Sequence, residues 1–410
     1  MIRLDRGGTF IALACLLIFL PYPVYRIFAD ERFGASYGSH LLHLGVAGCI
    51  LGAIVLGYRT GWTLAPPQPR ASRARSVTGG MGLLLWTPVI LSIAGHMPVA
   101  VVRLLNPELT FFDIRLIFEP YAGMGLIFRT YLVALPLIFV LRRRIRRREW
   151  ALLLGLGLLV LVRAEALSER LAVLEFVLAM GVCVSLRYRY AIKLWQALAG
   201  GAVLYIFAAV TLWQRVVFQN NFFGSLSEFM YENFLYNVTY YSVNLNSLYF
   251  RMFADTPPTD LRWYMLPVEK VLSRLAGTRL EDPMAWTEFL VARDNAGFGF
   301  FWLNNPGGPT QDYSDWGVAF VLVIFVKFML FGRVARLTRA GSVTALALFP
   351  LFCIAVAEYP RFNYFYMSFG FFVLIGGALY GAMISRLLRG TDAVAAHAPS
   401  SSIAATRPGA

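Results

Sequence analysis

Four groups of residues have the types and spacing to do chemistry. The first is "RAEALSERLAVLE", Arg163 to Glu175. Arg163, Glu165, Glu169 and Arg170 mix both signs within two helical turns, and Glu175 follows inside an apolar run. A charge there is expensive and tends to mark function. Carboxylates of this kind can exchange a proton, and guanidinium groups can grip an anion through paired N–H donors. The same arginines can equally end their helices at a membrane surface and pair with the glutamates. The second group is "YNVTYYSVNLNSLYFR", Tyr236 to Arg251. The rings of Tyr240 and Tyr241 can stack on sugar faces while the amides of Asn244 and Asn246 bond hydroxyls, a mixture suited to carbohydrate. An interfacial aromatic belt would use the same rings. The third is "NNPGGPTQDYSDWG", with Thr310, Asp312, Tyr313 and Asp315 and no basic residue. It reads as a polar, turn-rich entry to the next apolar run, with Asp315 either a proton acceptor or the cap of a helix that starts at Trp316. The fourth is a pair of cations within apolar runs. Arg129 is placed to reach an outer-facing cavity or to pair across helices; Lys327 is expected to extend toward the cytoplasmic face along its own stem. His96 reads as a satisfied polar group. His40 and His43 lie one turn apart with no third ligand nearby, so no metal site is expected. No P-loop, GxSxG, HExxH or CxxC pattern occurs, and neither ATP hydrolysis nor any cofactor is expected.

The elements that must position these groups are membrane helices. The chain of 410 residues is 58% hydrophobic and 15% charged, too little charge to cover a soluble surface of that size. Its apolar runs are continuous rather than alternating, and in lipid only helices or closed barrels satisfy the backbone. The fold class is therefore an all-α polytopic membrane protein of about ten transmembrane helices. The expected spans are 8–28, 39–58, 79–102, 121–141, 149–164, 170–186, 192–213, 316–332, 342–358 and 363–385. Cys15, Cys49, Cys183 and Cys353 all fall in apolar runs and read as small core residues. The first run is expected to be a retained span and not a cleaved signal.

The net charge of +14 is gathered in short clusters between spans, as topology signals are, so nucleic acid is not an expected partner. Alternating the loops puts Arg3, Arg6, Arg59, the block "LRRRIRRRE", Arg187, Arg189, Arg333, Arg336, Arg339, Arg386 and Arg389 on one side. That side is cytoplasmic by the positive-inside rule, and so are both termini. Segments 1–213 and 316–388 hold the helices. Between them, 214–315 is expected to be one large, partly helical outer loop between helices seven and eight. It leans acidic and carries an amphipathic stretch, "LPVEKVLSRLAG". A loop this long usually covers or forms a site. The tail 389–410 is expected to be disordered.

The order of these features resembles the Wzy-type O-antigen and oligosaccharide repeat-unit polymerases, relatives of the O-antigen ligases. In "SERLAVLEFVLAMGVCVSLRY" an arginine, Arg170, opens a span, and a basic turn and another span follow. The large loop then begins in a Tyr/Asn-rich segment, "YYSVNLNSLYF", and closes on a Thr-x(n)-Tyr-x-Asp-aromatic-Gly signature, "TQDYSDWG". Trp316 stands where the family more often has Phe. The resemblance covers roughly 160–320. It implies a glycosyltransferase of the bacterial inner membrane that moves a glycan from undecaprenyl diphosphate onto a new lipid-linked repeat unit. Membrane lipid and a chain-length regulator are the other partners implied. The same resemblance implies arginines for the diphosphate (Arg170 first, then Arg251, with Arg163 and Arg279 behind) and a carboxylate base among Glu169, Glu175 and Asp315. Tyr240, Tyr241, Asn244, Asn246, Thr310 and Tyr313 would face the glycan. A ligase-like transferase and a flippase for lipid-linked glycan are the alternatives. The ligases favour a histidine in the outer loop, and 214–315 has none.

Overall fold

A computed structural model describes residues 2–20, 40–65, 80–118, 124–142, 144–167, 169–193, 307–361, 363–364 and 368–397, with short pieces between 195 and 276. The named elements there are helices: α1 (Gly7–Phe19), α2 (His40–Leu64), α3 (Gly80–Leu105), α4 (Phe111–Phe118), α5 (Met124–Arg129), α6 (Tyr131–Leu141), α7 (Arg147–Ala166), α8 (Arg170–Tyr188), α9 (Gly308–Trp316), α10 (Phe320–Arg339), α11 (Val343–Glu358) and α12 (Ser368–His397). A single antiparallel bridge, Ile2 to Ile192, is the only extended pairing among the described residues. Six segments are long and apolar enough to cross a membrane: Leu44–Leu64, Met81–Leu105, Met124–Leu141, Leu171–Tyr188, Gly308–Arg339 and Gly370–Arg389. α1 and α11 are shorter apolar helices. The chain is an all-α membrane protein. Part of the expected seventh span and most of the expected outer loop lie outside the described residues.

Three boundaries differ from the sequence reading. The expected span 121–141 holds two helices, α5 and α6, joined through the single residue Thr130, whose backbone stays in the right-handed helical region. The last carbonyls of a helix lack an intrahelical partner, and α3 supplies one: the Ser92 hydroxyl donates to the Phe128 carbonyl at 2.6 Å, while Thr130 Oγ1 lies 2.6 Å from the Pro88 carbonyl. The polar stretch before the eighth expected span is a helix, α9, rather than an open turn. Finally, α12 runs on to His397, past the expected end at 388, through a stretch rich in alanine, the best helix former. The two helices about "RAEALSER" are separate, as expected, and α7 packs against α8.

The bundle has two unlike ends. At one, α1, α7 and α11 begin and α2, α6, α8 and α10 finish. Arg187 donates from its Nη1 to the carbonyls of Phe139 and Arg142 at 2.6 and 2.8 Å, placing a cation at the negative end of α6. Arg142 pairs with Glu149 at 2.7 Å, and Arg336 and Arg339 sit over the Trp62 ring. At the other end α4 caps itself: the Thr110 hydroxyl and backbone N–H both donate to Asp113, and these bonds hold the Asp113 carboxyl below its usual range. The same end gathers the pairs described in the next subsection.

The closest packing is between α2 and α10. A Cβ on Gly61 would fall 1.8 Å from the Met329 carbonyl oxygen, one on Gly57 2.4 Å from that of Phe325, and one on Gly332 2.1 Å from that of Tyr58. Gly57 and Gly61 are four residues apart, so both face α10. Small residues at this spacing let membrane helices touch backbone to backbone, where dispersion replaces the hydrophobic drive that lipid does not supply. Gly61→Ala should therefore cost about 1–3 kcal/mol through overpacking. Gly52→Ala, on the same helix with nothing within 4 Å of its added Cβ, should be neutral or slightly stabilising. Thermal unfolding of both variants in detergent distinguishes the two sites.

Candidate functional site

The second end of the bundle holds an unusual density of buried polar side chains. Arg129, Arg163, Glu175, His96, Thr310, Asp312, Asp315, Glu358 and Asn363 are all buried, although six charges in that set would each be costly in lipid. They are organised in two linked networks.

The first network is centred on Glu175, about 7.5 Å along α8 from its start. Arg129, the last residue of α5, donates from Nε to both carboxylate oxygens at 2.7 and 2.8 Å. Tyr364 donates its hydroxyl to Oε1 at 2.9 Å. Arg129 and Glu175 are 4% and 1% exposed, so the pair is sealed from water and its attraction is little screened. Nearby, Arg163 pairs with Glu169 across the turn between α7 and α8 and lies over the Phe128 ring, 3.9 Å from its centroid. His96 packs on the same ring. Its Nδ1 lies 2.7 Å from the Ser92 carbonyl. A carbonyl only accepts, so Nδ1 carries the hydrogen. Glu165 does not join Arg163: it takes a two-pronged contact from Arg103 of α3, at 2.9 and 2.5 Å.

The second network is centred on Asp312 of α9. Lys327 of α10 lies 2.5 Å from Oδ1, Asn363 donates its amide to Oδ1 at 3.1 Å, and Tyr359 donates its hydroxyl to Oδ2 at 2.7 Å. Asp312 and Lys327 are fifteen positions apart, about 22 Å along a continuous helix, so α9 must fold back against α10. Gly317 allows it: its φ of 53° lies in the left-handed region, and nothing crowds the space beside it. α9 thus packs back along the first half of α10, enclosed by the bundle. Its start is fixed by two more bonds, from Gly307 N–H to the Arg361 carbonyl and from Gly308 N–H to that of Tyr359, each at 3.0 Å. A Cβ on Gly308 would lie 2.5 Å from that carbonyl, so only glycine fits. The Asn363 N–H closes the contact by donating to Gln311 Oε1 at 2.6 Å.

One short segment joins the networks. α11 ends at Glu358 because Pro360 has no N–H to continue the ladder. In the turn that follows, Tyr359 and Asn363 hold Asp312 while Tyr364 holds Glu175. Glu358 is 1% exposed and faces Arg361 at 3.3 Å.

Of the residues expected from sequence, Glu169, Glu175, Arg163, Thr310, Tyr313 and Asp315 belong to this end. Glu169 is the most open carboxylate of the first network, its side chain 40% exposed. Tyr313 turns its ring edge-on to Phe320. Asp315 lies within α9 and does not cap the next helix, whose N-cap is Ala319 with no side-chain bond. Arg170 opens α8, but its side chain is outside the described residues. So are Arg251, Arg279, Tyr240, Tyr241, Asn244 and Asn246. Lys327 departs from expectation: it reaches back to Asp312, because a buried carboxylate holds the ammonium more strongly than a distant interface does. Arg103, Glu358, Tyr359, Asn363 and Tyr364 were not legible as site residues. The one hint was a carboxylate ending an apolar run in "AEYPRFNY". Among the described residues no three His, Cys, Asp or Glu side chains could hold a metal ion.

No protein-family model, curated protein or solved structure matches the chain. Arg129→Met should destabilise the protein by about 3–5 kcal/mol, because Glu175 is left charged and unpaired. Adding Glu175→Gln should return most of that loss. Thermal unfolding of both variants in detergent measures it; a double variant as unstable as the single one would count against the pair as a unit.

Proposed function

We propose that the protein is a membrane glycosyltransferase that polymerises undecaprenyl-diphosphate-linked oligosaccharide repeat units into a surface polysaccharide. The observation that carries the reading is α9. The stretch "TQDYSDWG", which resembles the polymerase signature, is a polar helix folded into the bundle next to buried charges, a costly placement for a mere exit turn. Two further features support it. Arginines cluster at the opposite end of the bundle, so the positive-inside rule puts that end in the cytoplasm and the polar end on the outer face, where lipid-linked repeat units are displayed. Arg170 opens α8, next in sequence to Glu169.

In the transfer, the sugar–oxygen bond to the lipid diphosphate breaks and its electron pair leaves with the diphosphate. The acceptor hydroxyl forms the new bond to the sugar carbon and gives its proton to a carboxylate. The donor is already activated, so the protein supplies positioning, charge for the diphosphate and a base. Glu169 and Asp315 suit the base better than Glu175, whose carboxylate is occupied by Arg129 and Tyr364. Arg170 suits the diphosphate, because guanidinium donates in a fork and stays charged.

A second reading draws on a different observation. The junction of α5 and α6 at Thr130, α9 folded back on α10 and the Asp312–Lys327 pair also suit the discontinuous helices from which transporters build substrate sites. One experiment separates the readings. A strain lacking the gene should accumulate glycolipid carrying a single repeat unit on the outer leaflet. Accumulation on the inner leaflet would identify a flippase instead, and finished polymer still on undecaprenyl diphosphate would identify a ligase. In the complemented strain, Arg170→Ala should abolish chain extension with the protein still present, as read by glycan ladders and immunoblot.

A further inference from the structure

We infer that the arginine-rich end of the bundle carries a binding surface for anionic phospholipid headgroups, formed where the ends of α6 and α8 meet the start of α7. Its cations are Arg144, Arg146, Arg147, Arg148, Arg189 and Lys193. A flippase or a ligase would use such a surface equally, so it stands apart from the transferase chemistry.

Hydrogen bonds bring these segments together. Arg187, in the last turn of α8, donates to the carbonyls of Phe139 and Arg142, so α6 and α8 finish side by side. Arg142 in turn pairs with Glu149 in the first turn of α7. The Ser185 hydroxyl donates to the Tyr190 carbonyl at 2.9 Å, which folds the chain after α8 back on its last turn. The bridge between Ile2 and Ile192 fixes the same segment from the N-terminal side. The six cations thus follow shortly after the ends of two apolar spans, Met124–Leu141 and Leu171–Tyr188. Three aromatic side chains lie in the same segment: Tyr188, Tyr190 and Trp195 are 55%, 44% and 63% exposed, as rings at headgroup depth are.

All six cations are exposed, and among the described residues none has a carboxylate partner. The acids these segments carry are already taken, Glu149 by Arg142 and Asp5 by Arg3. Two placements are unfavourable without an anion. Arg146, Arg147 and Arg148 cap and open α7, at the positive end of its dipole, where cations are disfavoured. Arg189 ends α8 with a φ of 51°, and it is the only non-glycine residue of positive φ among those described. Glycine takes that conformation without strain and is the usual choice there; the chain keeps an exposed cation instead. A phosphodiester headgroup answers both. Guanidinium groups donate to its oxygens in a fork, and its charge offsets their mutual repulsion. Clusters of roughly four to eight cations just cytoplasmic of a span attract anionic lipid in this way.

The test follows thermal unfolding of the full chain in neutral detergent during titration with dioleoylphosphatidylglycerol or dioleoylphosphatidylcholine. The anionic lipid should raise Tm, and the zwitterionic one should need at least about tenfold more for the same rise. Changing Arg147, Arg148, Arg189 and Lys193 together to glutamine should raise the half-maximal phosphatidylglycerol concentration on the order of 100-fold, about fivefold for each cation with incomplete additivity. Arg59→Gln with Arg333→Gln, which removes exposed cations of α2 and α10 at the same end, should change it less than about threefold. Arg189→Gly separates binding from folding. It relieves the backbone, so it should melt no lower than the parent in detergent alone, yet respond to phosphatidylglycerol about fivefold more weakly. Salt at about 1 M, where the Debye length is about 3 Å, should remove most of the preference. If the fourfold variant fails to accumulate, Arg147→Gln with Arg148→Gln replaces it, with a loss of about 25-fold expected. Equal responses to the two lipids, an equal loss in the Arg59 and Arg333 control, or the same gain from inorganic phosphate at the same concentration would overturn the assignment.

Discussion

A charge buried in a membrane bundle must meet its counter-charge, and the Arg129–Glu175 pair sets much of the architecture around it. Arg129 reaches Glu175 from the end of α5, and α6 restarts at Tyr131 after the single residue Thr130. Ser92 donates to the Phe128 carbonyl beside this junction. Tyr364, which completes the carboxylate, fixes where the α11–α12 turn lies, and that turn fixes α9 through Tyr359 and Asn363. A single ion pair thus ties α5 and α8 directly, and α3, α11 and α9 through hydrogen-bonded intermediaries.

The rest of the bundle provides the rigidity this requires. Backbone contact between α2 and α10 at Gly57, Gly61 and Gly332 holds the helix from which Lys327 projects. A looser α10 would let the ammonium swing away from Asp312. The arginine-rich end does different work: its guanidinium groups close helix carbonyls and cover Trp62, satisfying the backbone where helices finish. Among the described residues, the buried charged groups lie at the ends and in two networks, and apolar packing fills much of the space between.

α9 shows how one segment can carry two properties that look contradictory. Its composition is too polar for lipid and too rich in glycine and proline for a long helix. Inside protein both are assets. Glycines allow the close approach at its start and the reversal at its end, and the polar side chains find partners on the turn that faces them. Irregular, polar backbone at membrane depth persists only where it is enclosed by protein or lines a cavity, which is why such a segment attracts a functional reading.

The sequence by itself determined that the chain is helical and membrane-embedded, where most helices lie, and which clusters of charge share an end. Continuous apolar runs and loop arginines are local signals, readable one window at a time. It also marked Glu175, Arg129 and Lys327 as unusual, because a charge in an apolar run is conspicuous wherever it ends up. What it could not decide was pairing. Glu165 chose Arg103 over its neighbour Arg163, and Lys327 chose Asp312 over the membrane surface. Tyr364 met Glu175 from a position 189 residues away in the chain. Coulombic attraction and hydrogen bonding act over a few ångströms of space and take no account of separation in sequence, so only the packed bundle determines which partner each buried charge acquires.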